Sequence, residues 1–188
     1  MFAYAGRLLR EKGIAELAEA MRTLRKTHSG TACRVYGFLQ PQDPRFVRRD
    51  ELSRWEDEGL LEYRGPLDDV RPAYAEADCV VLPTYYREGV PKSLLEAAAM
   101  TRPIVATSLA GCRAVVREGE NGFLCAPRDA GSLAQALARA VEAGPDGRAE
   151  MGRRGRALAE TVFGSERVAR AYLDAAAALM PATDAPSA

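Results

Sequence analysis

Two glutamates and two cations are the residues of this chain whose types and spacing could do chemistry together. Glu88 and Glu96 are eight residues apart, and Glu96 lies about a turn and a half into a helix predicted for residues 91–100. Pro91 suits the first helical turn because its missing N–H would be unsatisfied there. The free amides of residues 89–93 would then bind a phosphate, with a carboxylate on either side to recognise hydroxyl groups. A sugar nucleotide fits this arrangement, because hydroxyls flank its diphosphate on both sides.

The two cations follow the first apolar run of the chain, in the segment 6–13. Arg7 and Lys12 would neutralise a diphosphate if this segment lay beside residues 84–93. Lys12 is the more informative of the two, because the chain has 23 arginines and only three lysines. Taken singly, each of these features also occurs by chance in a chain with 26 acidic and 26 basic residues. The prediction therefore depends on whether the fold brings the two segments together.

Short apolar runs alternate along the chain with amphipathic stretches of helical period. Six strands are predicted, at residues 2–6, 32–36, 61–64, 79–83, 103–106 and 122–125. This alternation implies right-handed β-α-β units and a doubly wound parallel six-stranded sheet, an α/β fold of the Rossmann-like type. With the strand order 3-2-1-4-5-6, ligands bind beyond the carboxyl ends of strands 1 and 4, where the order reverses. The two charged segments follow these strands, so the topology predicts that they share one cleft.

Composition and short motifs exclude several other functions. The formal net charge is zero and the isoelectric point is near 6.6, which argues against binding of nucleic acid. The four cysteines form no C-x-x-C pair and His28 is the one histidine, so neither structural zinc nor a Ser-His-Asp triad is expected. A G-x-G-x-x-G motif after strand 1 and a P-loop are both missing, which disfavours NAD, FAD and Walker-type ATP hydrolysis. No apolar run approaches the ~20 residues that span a bilayer, so the expected location is the cytoplasm.

At these residues the sequence resembles a known enzyme family. The matching segments are Gly-Arg-Leu-Leu-Arg-Glu-Lys-Gly at 6–13, Ala-Asp-Cys-Val-Val-Leu-Pro at 77–83, Glu-Gly-Val-Pro-Lys-Ser-Leu-Leu-Glu-Ala at 88–97, Arg-Pro-Ile-Val-Ala-Thr at 102–107 and Glu-Asn-Gly-Phe-Leu at 120–124. The sequence resembles the C-terminal donor-binding domain of the retaining nucleotide-sugar glycosyltransferases of family 4 (group 1). Within that family it is similar to the subgroup that builds capsule, O-antigen or lipid-linked oligosaccharides with UDP-sugars. Two positions depart from the family pattern, since Thr101 replaces a usual glycine and Ala114 a usual glutamate.

The resemblance implies a role for each matching residue. Arg7 and Lys12 would hold the donor diphosphate and stabilise the charge on the departing nucleotide. Glu88 would contact sugar hydroxyls near the reacting carbon, which makes it the third expected catalytic residue, and Glu96 would bind the ribose hydroxyls. The other expected donor-binding positions are Gly6, Gly37, Arg64, Gly65, Gly89, Val90, Pro91, Lys92 and Ser93, with Gly37, Arg64 and Gly65 bordering the base. No metal or other cofactor is expected, because members of this family are generally metal-independent.

The resemblance covers nearly the whole chain and implies the C-terminal half of a GT-B fold. Residues 1–180 are expected to form the nucleotide-sugar-binding domain, with helices only from residue 152 onward and a break near Phe163 and Gly164. Residues 181–188 are expected to be a flexible tail. The resemblance implies that the last helix, whose apolar face includes Val168 and Tyr172, crosses back toward the N-terminal domain, but at least half of that face is expected to pack on the sheet. The N-terminal domain, which would bind the acceptor, is expected to lie outside this sequence.

The chain is therefore interpreted as the donor-binding domain of a retaining glycosyltransferase of the hexosyltransferase type, acting in polysaccharide biosynthesis. Its expected partners are a UDP-sugar donor and, through the other domain, a glycan or lipid-linked acceptor. Two alternatives stay open: a donor-binding module that is inactive on its own, and a UDP-sugar 2-epimerase-like enzyme of the GT-B fold. Peripheral association of the full-length enzyme with the inner face of the membrane is also left open.

Overall fold

The computed structural model describes residues 1–87 and 89–179, which contain one six-stranded parallel sheet. Its strands are Phe2–Ala5 (β1), Cys33–Tyr36 (β2), Glu62–Tyr63 (β3), Cys79–Leu82 (β4), Ile104–Thr107 (β5) and Gly122–Cys125 (β6). Their order across the sheet is β3-β2-β1-β4-β5-β6, and every neighbouring pair is parallel. The predicted α/β class and strand order are confirmed.

Helices connect and cover these strands. The α-helices of the described chain are Ile14–Leu24 (α1), Arg49–Asp57 (α2), Arg71–Glu76 (α3), Lys92–Ala99 (α4), Ala110–Val115 (α5), Ala130–Glu142 (α6), Gly144–Phe163 (α7) and Ser165–Leu179 (α8). A 3-10 turn at Arg10–Lys12 precedes α1. Among the described helices, none is both long and apolar enough to cross a membrane. The tail expected at residues 181–188 lies outside the described residues.

The central strands are buried on both faces. Every residue of β4 and β5 is buried, which is why these strands read as continuous apolar runs rather than as alternating ones. In β1, Phe2 lies opposite Cys33 on one side and Cys79 on the other. Both cysteines are buried and free.

The crossover connections place the helices that follow β1 and β4 on opposite faces of the sheet. The chain moves from β1 to β2 in one direction and from β4 to β5 in the other, and with the right-handed crossovers that such units adopt, the two helices lie on opposite faces. Helix α1 packs on α6, and α4 packs on α7. A Cβ atom on Gly152 of α7 would lie 2.0 Å from the carbonyl oxygen of Thr101, so this glycine lets α7 approach the turn after α4. The loops before α1 and α4 consequently meet at the carboxyl edge of the sheet.

The last two helices differ in part from the prediction. Helix α7 begins at Gly144, earlier than the helical stretch predicted from residue 152, whereas the break at Gly164 lies where it was predicted. The expectation that the last helix packs its apolar face on the sheet is wrong. Helix α8 has no buried residue, and Tyr172 and Leu173 are 75% and 70% exposed. The extended ψ of 136° at Gly164 ends α7 and redirects the chain, so the main contacts of α8 are with α7.

Candidate functional site

A cleft of about 590 Å³ lies at the carboxyl edge of the sheet, between the loops after β1, β2 and β3 and the start of α4. It is lined by these predicted site residues: Gly6, Arg7, Lys12, Gly37, Pro91, Lys92, Ser93 and Glu96. Residues from both charged segments therefore meet in one cleft. They do so because β1 and β4 are neighbours whose crossovers leave in opposite directions, which opens a crevice between their loops.

Other predicted positions lie beside the cleft rather than in its lining: Arg64, Gly65, Gly89 and Val90. The Arg64 guanidinium forms an ion pair with Glu62 at 2.8 Å. The carbonyl oxygen of Gly65 accepts a hydrogen bond from the N–H of Gly37 at 2.9 Å, so Gly65 fixes a residue that does line the cleft. Gly89 and Val90 are exposed and lie just before α4. The expected catalytic residue Glu88 lies outside the described residues.

Two glycines form one side of the cleft by direct contact of backbone with backbone. A Cβ atom on Gly37 would lie 1.8 Å from the carbonyl oxygen of Gly6, so no other residue type fits at Gly37 without displacing the loop after β1. The N–H of Gly6 donates to the carbonyl oxygen of Tyr36 at 3.0 Å, which extends the β1–β2 pairing into this region. Glycine at position 37 therefore lets the two loops pack directly against each other along this side of the cleft.

The two cations of the β1 loop differ in burial. Lys12 is only 8% exposed, and its ammonium lies 5.7 Å from the centroid of the Tyr86 ring. Arg7 is exposed, and its side chain has no hydrogen bond or ion pair to another described residue. The backbone beneath it is held, because the Tyr4 hydroxyl donates to the Arg7 carbonyl oxygen at 2.8 Å. The loop thus offers one buried and one solvent-facing positive charge.

Helix α4 contributes its N-terminus to the cleft. Pro91 stands just before the first helical residue, and its carbonyl oxygen accepts from the N–H of Leu94 at 3.1 Å. The amides of Lys92 and Ser93 precede the first intrahelical hydrogen bond and have no acceptor among the described residues. Both residues line the cleft, so the positive end of the helix dipole faces it.

Glu96 stands about one turn further along α4 and lines the same cleft. Its carboxylate is partly exposed, and Oε1 lies 3.4 Å from the Lys92 ammonium. Tyr74 is fully buried, with its hydroxyl 3.4 Å from the Ser93 carbonyl oxygen. Burial, and to a lesser degree the charge of Glu96, raises the pKa of the Tyr74 phenol, which therefore stays neutral. Because the Glu96 carboxylate is partly exposed and lines the cleft, a ligand bound there can reach it.

Sequence reasoning missed the far end of the cleft. The residues there that it did not name are Tyr36, Phe38, Pro66, Leu67, Asp68 and Val70. Phe38 and Leu67 are 59% and 41% exposed, and both side chains line the cleft. Phe38 follows the predicted Gly37 by one position, and Leu67 follows the predicted Gly65 by two. An apolar residue just after a predicted site glycine was therefore the sequence signal for this end of the cleft. The cleft therefore has a charged end and an apolar end.

No metal centre accompanies these groups in the part of the chain that the structure describes. There, no three side chains of the types His, Cys, Asp and Glu are grouped so as to hold an ion. The charged end of the cleft is thus built from Arg7, Lys12, helix amides and Glu96. Such a set can bind a doubly charged phosphate group and nearby hydroxyls.

The chain is similar to known proteins over most of its length. Glycogen synthase from Mycobacterium tuberculosis is 35% identical over 138 residues, which cover 71% of this chain and 32% of that enzyme. A crystal structure of a glycosyltransferase from Rickettsia africae superposes with a TM-score of 0.86 at 19% identity, over 97% of this chain and 48% of the other. The structure of Anabaena Alr3699/HepE in complex with UDP superposes with a TM-score of 0.84 at 22% identity, over 95% of this chain and 48% of the other.

These similarities describe only part of the longer proteins. The chain spans less than half the length of the curated relatives it matches. The solved structures share its fold. The family model described as "Glycosyl transferases group 1" matches residues 1–143, and this chain therefore belongs to the group 1 glycosyl transferases.

Proposed function

We propose that this chain binds a nucleotide-sugar donor in the cleft and forms the donor-binding part of a retaining glycosyltransferase. The observation that carries the proposal is the meeting of Arg7 and Lys12 in one cleft with the amides of Lys92 and Ser93, which have no acceptor among the described residues. A diphosphate requires positive charge and N–H donors at close range, and this cleft offers both from two different loops.

In this proposal the diphosphate lies between Lys12 and the start of α4. Because Lys12 is buried, its charge is less screened by solvent than that of an exposed lysine. Negative charge develops on the departing nucleotide as the bond to the sugar breaks, and Arg7 and Lys12 stabilise it. Glu88 keeps the role that the family resemblance implies, contact with sugar hydroxyls near the reacting carbon.

The nucleoside would extend from the diphosphate toward the apolar end of the cleft. Glu96 is placed to accept hydrogen bonds from the ribose hydroxyls, since its carboxylate lies about one helical turn from the amides that would bind phosphate. Phe38 and Leu67 would give the base an apolar surface in the cleft. Burial of these two exposed side chains by the base would add a hydrophobic contribution to binding.

A UDP-sugar is the proposed donor, and a glycan or lipid-linked saccharide the proposed acceptor. The complex of HepE with UDP and the name of the glycogen synthase relative support these two choices. Transfer would retain the anomeric configuration and need no metal or other cofactor, with the donor phosphate receiving the acceptor proton. The acceptor would bind to a second domain of a longer protein, and the exposed apolar face of α8 would be covered by that domain.

Thermal unfolding in the presence of UDP, GDP and ADP tests donor binding. A nucleotide at ~100 times its Kd should add about 2.7 kcal/mol to the free energy of unfolding, which raises Tm by roughly 5–10 °C for a domain of this size. Glu96→Ala should reduce the shift. Arg139→Ala, on α6 and outside the cleft lining, should leave it unchanged. The absence of a shift with every nucleotide would contradict the proposal.

Transfer activity gives a second test. This chain alone should bind UDP without catalysing transfer from UDP-sugars to oligosaccharides, because the proposed acceptor site lies in another domain. Efficient turnover by the isolated chain would show that the acceptor site is also present in it, and the division of roles would be wrong.

A further inference from the structure

Thr84 lies at the junction of the two loops that form the charged end of the cleft. It follows β4, is fully buried, and does not line the cleft itself. Its Oγ1 donates to the carbonyl oxygen of Glu11 at 3.3 Å and accepts from the N–H of Tyr86 at 3.2 Å. One buried hydroxyl therefore connects the loop after β1 with the loop after β4.

The Glu11 carbonyl is the common acceptor at this junction. Besides the Thr84 hydroxyl, it accepts from the N–H of Tyr85 at 2.9 Å and from the N–H of Tyr86 at 3.2 Å. On the other side, the Thr107 hydroxyl at the end of β5 donates to the carbonyl oxygen of Thr84. The junction is thus fixed to the rigid sheet as well as to both loops.

This junction determines where the buried cation stands. Glu11 immediately precedes Lys12 in the 3-10 turn, and Lys12 places its ammonium 5.7 Å from the Tyr86 ring centroid. Thr84 therefore fixes the backbone on both sides of the Lys12–Tyr86 contact. A shift of either loop would move the ammonium relative to the amides of α4.

We propose that Thr84 is a positioning residue for the donor diphosphate, acting through the backbone of Glu11 to hold Lys12 opposite the N-terminus of α4. The proposal rests on the proposed function of the cleft. Thr84→Val keeps the shape of the side chain, but a methyl group cannot donate, and it repels the carbonyl oxygen that now lies 3.3 Å away. The Glu11 carbonyl oxygen still accepts from the N–H groups of Tyr85 and Tyr86. We therefore expect the variant to fold, with Lys12 displaced.

Calorimetric titrations of this chain with UDP and with uridine test the proposal. Thr84→Val should weaken UDP binding by about tenfold, because misplacement of a single group by a fraction of an ångström has effects of this order. Uridine binding should be unchanged, since uridine lacks the diphosphate. Thr84→Ser retains the hydroxyl and should bind UDP like the wild type. Asn121→Ala removes buried hydrogen bonds away from the cleft, and should lower Tm without changing UDP affinity.

The outcomes separate positioning from general destabilisation. Unchanged UDP affinity in Thr84→Val, or an equal loss for UDP and uridine, would overturn the proposal while leaving donor binding intact. If the wild type binds no nucleotide, the proposed function fails and this inference fails with it. In a Lys12→Met background the valine substitution should cause no further loss, and a full additional loss would also overturn the proposal. Thr84→Ala, which also lacks the hydroxyl, provides the same comparison should the valine variant not fold.

Discussion

A Cβ atom on Gly13 would lie 2.1 Å from the carbonyl oxygen of Pro83, so the loop after β1 touches the end of β4 with no room for a side chain. Gly13 also has a φ of +78°, in the left-handed region that favours glycine. It directly follows Lys12 and ends the 3-10 turn before α1 begins. The position of the buried Lys12 thus depends on the close backbone contact between Gly13 and Pro83.

This contact predicts a large effect of Gly13→Ala on stability. Gly119 offers a matched control, because its φ is +74° but nothing lies within 4 Å of an added Cβ. Gly119→Ala should lower the free energy of unfolding by about 1 kcal/mol through backbone strain alone. Gly13→Ala should cost about 3 kcal/mol or more, because the alanine must also displace Pro83. Urea unfolding measures both, and equal losses would contradict the close contact.

The burial of Lys12 predicts a difference between two lysines of the cleft. Lys12→Met should weaken UDP binding by about 10- to 100-fold, since a partly desolvated charge next to phosphate is lost. The Lys92 side chain is 89% exposed, so Lys92→Met should change the affinity by no more than a few-fold. Titration calorimetry at low and high salt measures both. Comparable losses in the two variants would mean that burial of Lys12 does not matter for binding.

The fold could be predicted from the sequence because each strand carried its own signal. Buried parallel strands such as Cys79–Leu82 are continuous apolar runs, and their alternation with helices restricts the topology to a few arrangements. The position of α8 could not be predicted in this way. Its apolar periodicity shows that one face avoids water, but periodicity does not identify what covers that face, and here Gly164 redirects the helix away from the sheet.

The charged end of the cleft could also be predicted, because the topological switch brings together loops that are more than seventy residues apart, as at Glu11 and Tyr85. The apolar end could not. Phe38 and Leu67 follow predicted site glycines, but nothing in the sequence shows that their side chains are exposed at a cleft rather than buried in the core. Thr84 is similar, since the role of a single buried hydroxyl depends on acceptors that are distant in sequence.

The ion pair between Arg10 and Glu51 predicts a loss of stability in acid. The Arg10 guanidinium donates two hydrogen bonds to this carboxylate, at 3.2 and 2.6 Å, and lowers the pKa of Glu51 below its ordinary value of 4.5. A lowered pKa in the folded state gives stability that is present above the unfolded pKa and is lost as pH falls through the folded pKa. The pair joins the β1 loop to α2, so acid should weaken this connection.

Glu51→Gln should therefore make the free energy of unfolding less dependent on pH on the acid side. Urea unfolding from neutral pH down to roughly pH 3 measures the slope. The variant should be less stable than the wild type at neutral pH and should approach it in acid. Glu166→Gln, on exposed α8 and without an ion pair to another described residue, should keep the wild-type slope. A parallel shift of the Glu51→Gln curve at all pH values would contradict the expected titration.

Thr101 predicts a stabilising substitution. Its φ is 57°, a left-handed conformation that a β-branched residue rarely adopts. The strain costs about 1–2 kcal/mol, whereas glycine adds up to about 1 kcal/mol of entropy to the unfolded chain. Thr101→Gly should therefore raise the free energy of unfolding by up to about 1 kcal/mol. The backbone carbonyl against which Gly152 packs is unaffected by this change.

Two comparisons identify strain as the cause of that gain. Thr101→Ala keeps a Cβ atom and should give little or no stabilisation. Arg128 also has a positive φ, of 59°, but its guanidinium lies 4.5 Å from the centroid of the Tyr85 ring. Arg128→Gly loses this contact as it relieves the strain, so its gain should be smaller than that of Thr101→Gly. Urea unfolding of the three variants measures the differences, and equal stability of Thr101→Gly and Thr101→Ala would show that the left-handed backbone at Thr101 costs no more than the entropy that glycine adds to the unfolded chain.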